Sequence, residues 1–174
     1  MAKEGRKQKI SQPPPEIAPS DQYELRLYAQ QRQFFECGKK LKTFLGGVGS
    51  GKSFVGACDI ILHSQPGDFI AVIAPTFRQL MLATFRSFKE AAQKFGLWDE
   101  SQFKSTAMTA RLKNGVEVVF ASADEPDNFR GPSLRRIWLD EAGLMKESMF
   151  NVCIARLRQY GKLGYLSATF TPQS

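Results

Sequence analysis

Leu41-Lys42-Thr43-Phe44-Leu45-Gly46-Gly47-Val48-Gly49-Ser50-Gly51-Lys52-Ser53 is the stretch on which the fold turns. A short strand-like run, Leu41 to Leu45, enters Gly46-x-x-x-x-Gly51-Lys52-Ser53, and a helical run from Lys52 to about His63 leaves it. Glycines let a backbone adopt positive φ and come close to phosphates, so that successive N–H groups point inward at a helix start. Larger side chains there would block the anion. The spacing predicts a phosphate-binding loop, or P-loop, in which Gly46, Gly47, Val48, Gly49, Ser50, Gly51, Lys52 and Ser53 surround the phosphates of ATP. Lys52 is expected to place a point charge on the β- and γ-phosphates. The Ser53 hydroxyl is expected to be a ligand of Mg²⁺, a hard ion that takes oxygen donors.

Downstream, Ile137-Trp138-Leu139 runs apolar into Asp140-Glu141. Unpaired buried carboxylates are costly, so two acids closing an apolar strand make sense where they project into a site. A P-loop NTPase needs an acid at a neighbouring strand end. Asp140 is expected to hold Mg²⁺ with Ser53, and Glu141 to polarise the water that attacks the γ-phosphate. A glutamate after the aspartate suits a hydrolase, whereas a kinase needs an acceptor pocket instead.

Between and around these motifs, strands alternate with helices. Tyr23 to Glu36 reads as helix, as do about Gln79 to Phe95 and Glu147 to Gln159. Phe69 to Ala74, about Thr106 to Leu112, Val116 to Ala121, Ile137 to Asp140 and Leu163 to Ala168 read as strands, with Asn114-Gly115 as a hairpin turn. The pattern predicts an α/β P-loop NTPase fold, a mainly parallel central sheet flanked by helices plus an antiparallel β-hairpin insertion at 106 to 121. Phe85, Phe88 and Phe95 have the spacing of core residues on one helix face.

Composition narrows the class. The chain has 174 residues, 43% of them apolar, and a formal charge of +7, which favours polyanion partners such as DNA or RNA. Cys37, Cys58 and Cys153 are widely spaced and accompanied by a single histidine, His63, so neither a disulfide framework nor a Cys/His zinc site is indicated. Residues 1–20 carry Lys3, Arg6, Lys7 and Lys9, then Pro13 to Pro15 and Pro19, with almost no large apolar side chain; they read as a flexible arm, either solvated or touching DNA. No run of apolar residues is long enough for a membrane span or signal core, so a soluble cytosolic protein with no membrane partner is expected.

The order Gln31, glycine loop, Thr76-Phe77-Arg78-Gln79-Leu80, Phe120-Ala121-Ser122-Ala123-Asp124-Glu125-Pro126, Phe129-Arg130-Gly131, Leu139-Asp140-Glu141-Ala142 and Ser167-Ala168-Thr169 resembles the large terminase subunit of tailed bacteriophages. The resemblance covers about residues 23 to 174. It implies an ATPase that drives double-stranded DNA into a procapsid in the infected host's cytoplasm. It also implies partners: further copies of itself in a ring, a portal protein and a small terminase subunit. The stretch 21–174 corresponds to the ATPase domain of that family, and the carboxy-terminal nuclease domain is not represented.

Residue by residue, Gln31 resembles the glutamine that reads the adenine edge, with Gln30 and Gln33 as rivals and an amphipathic helix face as the plain alternative. Ser167-Ala168-Thr169 resembles the motif coupling γ-phosphate loss to DNA movement. Thr76 and Arg78 resemble a helicase-like coupling motif, although a helix N-cap also explains Thr76. Many members carry an arginine inside the loop, four residues before the lysine, where this chain has Val48. Arg130 matches the arginine that reaches a neighbouring subunit's ATP, with Arg156 and Arg158 as rivals; Arg135 and Arg136 are either solvated or phosphate-facing. Two other classes fit the bare motifs: a different nucleic-acid-dependent ATPase such as a helicase or repair motor, and a nucleotide-gated assembly protein that barely hydrolyses ATP.

Overall fold

The computed structural model describes residues 24–124 and 133–172; the amino-terminal arm and Arg130 lie outside these described residues. Phe69-Ile70-Ala71-Val72-Ile73-Ala74 is apolar without alternation, the mark of a strand covered on both faces. It is the central strand β2 (Phe69–Ala74), and its side chains divide by period two. Ile70, Val72 and Ala74 enter one core; Ala71 and Ile73 enter another on the opposite face.

Around β2 runs a seven-stranded sheet in the order β1-β7-β6-β2-β5-β4-β3. β1 (Leu41–Leu45), β7 (Tyr165–Phe170), β6 (Arg136–Asp140), β2 and β5 (Glu117–Ser122) are parallel, while β4 (Thr109–Arg111) and β3 (Phe103–Lys104) form an antiparallel edge. The Asn114-Gly115 turn is present: Gly115 has φ 84°, and the Val116 N–H donates to Asn114 Oδ1 at 3.2 Å. The hairpin is therefore half insertion and half core, because β5 pairs antiparallel with β4 and parallel with β2. The acid-bearing strand β6 is separated from β1 by β7.

Helices cover both faces. α2 (Lys52–Leu62) and α4 (Phe85–Lys94) pack on the face of Ile70, Val72 and Trp138; α5 (Glu147–Arg156) packs on the other through Met149 and Cys153. α2 comes close to β6 because position 56 is glycine: a Cβ there would lie 2.5 Å from Trp138 Cε2. The stretch expected as one helix from Gln79 to Phe95 begins instead as α3 (Phe77–Gln79), capped by the Thr76 hydroxyl, and passes through a π-helical turn (Leu80–Thr84) before α4. Phe85 and Phe88 are buried as expected, with Phe95 half-buried.

The first helix is shorter than its composition suggests. α1 spans Ala29–Glu36, and residues 24–28 are irregular, with Leu25 and Leu27 half-buried between the exposed Glu24, Arg26 and Tyr28. Alternation at period two marks an extended segment laying its leucines on the core. The end of α1 is fixed by Lys42 of β1, whose Nζ donates to Phe34 O (3.0 Å) and Cys37 O (3.1 Å) and pairs with the buried Asp59 of α2 at 2.7 Å. His63 lies 2.9 Å from the same carboxylate. Lys42 thus ties α1, β1 and α2 together beneath the glycine loop.

Candidate active site

At the carboxyl end of β1 the chain turns through the glycine loop into α2. Gly49 (φ 76°) and Gly51 (φ 73°) take the left-handed backbone that glycine adopts without penalty. Gly51 meets a second constraint, since a Cβ would lie 2.5 Å from Gln31 Nε2. The Gln31 side chain is buried, donating from Nε2 to Ser50 O at 2.9 Å and accepting the Tyr28 N–H on Oε1 at 3.0 Å. Gln31, rather than Gln30 or Gln33, is the glutamine against the loop, the other two being exposed. Val48 is 94% exposed at the loop tip.

Lys52, at the start of α2, is buried, and its Nζ lies 3.0 Å from Glu141 Oε1. Beside it, Ser53 Oγ donates to Asp140 Oδ1 at 3.1 Å. Asp140 closes β6 and is 1% exposed, an expensive place for a carboxylate without partners. Three hydroxyls supply them: Ser53, Thr169 of β7 to Oδ1 at 2.8 Å, and Thr84 of the π turn to Oδ2 at 2.8 Å. Burial pushes the Asp140 carboxyl above its ordinary pKa, and the three hydroxyls oppose that shift. Thr169 also accepts from Trp138 Nε1 at 3.0 Å, so the strand between β1 and β6 is joined to both acid and core.

Glu141 adopts φ 53°, uncommon for a residue with a side chain. Its carboxylate meets Lys52 on one side; on the other, Thr171 gives its N–H to Oε2 (3.1 Å) and places Oγ1 3.2 Å from each oxygen. Partial burial raises its pKa, but the Lys52 and Thr171 contacts outweigh burial and hold it below the usual glutamate value. Glu141 is therefore an anion at neutral pH. A groove of about 290 Å³ opens beside it, lined by Gln79, Glu141, Gly143, Leu144, Thr171 and Pro172.

The hydroxyl and carboxylate of Ser53 and Asp140 form a hard-oxygen pair suited to a small divalent cation. Ser50 Oγ, in the loop itself, is buried without a partner, as an atom awaiting a ligand would be. The residues thus fit Mg²⁺ bound with a nucleotide.

Other expected residues fall elsewhere. Arg156 and Arg158 line a separate cleft of about 1140 Å³ with Thr76, Gln79 and Asp124. Thr76 is a helix cap, accepting the Gln79 N–H at 3.2 Å. Arg135 and Arg136 lie over the Tyr165 ring, 5.0 and 4.2 Å from its centroid. Arg136 starts β6 and Asp140 ends it, so this pair sits about 13 Å from the acids, at the edge away from the phosphate loop. Cys58 and Cys153 are buried thiols pushed up to about 12 by desolvation, and Cys37 is half-buried. Among the described residues no helix is long and apolar enough to cross a membrane, and no group of His, Cys, Asp and Glu forms a metal cluster.

Thr84 and Thr171 are site residues that the sequence motifs did not reveal. Thr84 has no local signature. Thr171 had a faint one, because Ser167, Thr169 and Thr171 repeat at the two-residue period of a strand face.

A family profile described as the phage terminase large subunit matches residues 38–174. The chain belongs to that family. In fold it is similar to the large terminase ATPase domain of Thermus phage P74-26, with a TM-score of 0.65 at 23% identity over 91% of this chain and 72% of that one. It is likewise similar to the large terminase of a thermophilic bacteriophage (TM-score 0.71, 17% identity, 85% of this chain and 40% of that one). The large terminase of bacteriophage HK97 gives a TM-score of 0.62 at 17% identity, over 86% of this chain and 34% of that one. The chain thus spans well under half of the latter two terminase chains. A search of curated protein sequences finds no match.

Proposed function

We propose that this terminase-family chain hydrolyses ATP and that hydrolysis drives translocation of double-stranded DNA into a procapsid. The observation that carries the reading is the convergence of Lys52, Ser53, Asp140 and Glu141 at one point, with Lys52 3.0 Å from Glu141 and Ser53 3.1 Å from Asp140. Backbone N–H groups of Gly46 to Ser53 would cradle the phosphates, and Lys52 would leave Glu141 for the β- and γ-phosphates. Ser53 and Asp140 would hold Mg²⁺, which supplies charge neutralisation across the phosphates. Glu141, kept anionic by its partners, would polarise the attacking water.

In the same reading Gln31 offers its remaining amide proton to adenine while bracing the loop. Arg130 completes a neighbouring subunit's site, consistent with a loop tip that carries Val48 in place of arginine. Ser167, Ala168 and Thr169 couple nucleotide state to DNA grip through the Thr169 to Asp140 bond. The partners are double-stranded DNA held by sequence-independent phosphate contacts, further copies in a ring, a portal protein and a small terminase subunit, in the host cytoplasm. Residues 21–174 act as the ATPase part.

The test is steady-state ATP hydrolysis by wild type, Glu141→Ala and Arg130→Ala. Glu141→Ala should abolish turnover while nucleotide still binds; Arg130→Ala should lose turnover alone and regain it in mixtures with Glu141→Ala subunits. Normal hydrolysis by Glu141→Ala would defeat this reading.

A further inference from the structure

Glu141 is held in a backbone conformation that side-chain-bearing residues adopt only when their surroundings enforce it. Two groups hold its carboxylate, Lys52 and Thr171. Their situations differ. The Lys52 ammonium sits at the helix start that receives phosphate, so an arriving nucleotide competes for it. Thr171 lies on the far side of the carboxylate, just past β7, and gives both a backbone N–H to Oε2 (3.1 Å) and a hydroxyl 3.2 Å from both oxygens.

The placement follows from strand periodicity. Thr169 pairs in register with Asp140, and its hydroxyl bonds that acid. Two residues on, the same face of the chain presents Thr171 to the next acid, Glu141. The acid that ends β6 and the acid just past it, turned back by its left-handed backbone, are thus held by alternate hydroxyls along β7 and its continuation. Phe170, between the two threonines, accepts the Gly46 N–H at 3.2 Å, so the segment that holds Glu141 is also joined to the phosphate loop. The groove on the open side of Glu141 has room for water.

We propose that Thr171 is a positioning residue for hydrolysis: its N–H and hydroxyl keep the Glu141 carboxylate aimed into the groove once Lys52 has moved to phosphate. This rests on the ATPase reading above. Thr171 acts through Glu141: its N–H fixes Oε2 and its hydroxyl, equidistant from both oxygens, limits rotation of the carboxylate, so that Oε1, vacated by Lys52, is held in place to orient the nucleophile. A free carboxylate would swing, and misplacement of a catalytic group slows chemistry without weakening substrate binding.

The experiment compares steady-state kcat and KM for ATP, with equilibrium nucleotide binding, in wild type and the Thr171→Val, Thr171→Ser and Glu141→Gln variants of the full chain, at a protein concentration where wild type turns over. Thr171→Val keeps shape and N–H but removes the hydroxyl. It should lower kcat about ten- to a hundredfold, the effect of one hydrogen bond to a charged group, with KM and nucleotide affinity within about twofold. Thr171→Ser should restore most of kcat. Wild-type kcat in Thr171→Val, beside an inactive Glu141→Gln, would overturn the assignment. So would parallel loss of binding and turnover, or failure of serine to rescue, since either marks a merely structural role. An active Glu141→Gln would instead strike the ATPase reading itself.

Discussion

Replacing Lys42 by methionine should remove a large share of the domain's stability, because it takes the cation from a buried ion pair and leaves the Asp59 carboxylate only the half-exposed His63 ring. The Lys42 and Asp59 side chains are 10% and 3% exposed and meet at 2.7 Å, and the ammonium also reaches three carbonyls at the end of α1. Methionine keeps the apolar stem over the Phe34 ring, where Lys42 Nζ lies 4.9 Å from the centroid, so the loss is electrostatic rather than steric. Breaking one partner of such a pair costs about 3–5 kcal/mol. At about 2–4 °C per kcal/mol for a domain of this size, melting should fall by about 6–20 °C. Urea unfolding followed by tryptophan fluorescence would measure it, Trp98 and Trp138 both lying in the core. Lys42→Met/Asp59→Leu should recover most of the loss, because an apolar pair no longer buries a carboxylate deprived of its ammonium. A Lys42→Met loss below about 1 kcal/mol, the ordinary size of a point-mutation effect, would refute the reasoning. So would a double variant no better than the sum of its singles.

Two further outcomes follow from the same geometry. Gly56→Ala should destabilise by about 1–3 kcal/mol, as its methyl overlaps the Trp138 indole and that overpacking outweighs the alanine gain in helix propensity; thermal melting checks it. Thr84→Val, a change of similar shape, should leave Asp140 Oδ2 without its hydroxyl partner and lower ATP turnover about tenfold or more, measured beside an unchanged fold by circular dichroism.

The glycine loop and the acid strand were legible because their chemistry dictates residue type at fixed spacing, and the structure brings Ser53 to Asp140 and Lys52 to Glu141. The parallel strands were legible as unbroken apolar runs such as Phe69 to Ala74. Glu24 to Tyr28 misled because its residues favour helix locally, whereas Leu25 and Leu27 gain more by lying extended against the core. The order of strands was hidden too: nothing local to β1 or β6 reveals that β7, late in the chain, inserts between them. Thr84 and Thr171 escaped notice since a lone threonine acquires meaning only from what the fold sets opposite it.

The π-helical turn at Leu80–Thr84 amounts to one surplus residue spliced into a helical rod. Each residue advances an α-helix by about 100°, so the rod's two ends obey different helical wheels. Downstream, Phe85, Phe88, Ala91 and Ala92 stay in phase with the core; upstream, Thr76 and Gln79 face the cleft beyond the strands. The splice lets one rod serve two masters, a packing face and a cleft-lining face, whose spacings no single helical period satisfies. At the join stands the hydroxyl that meets Asp140.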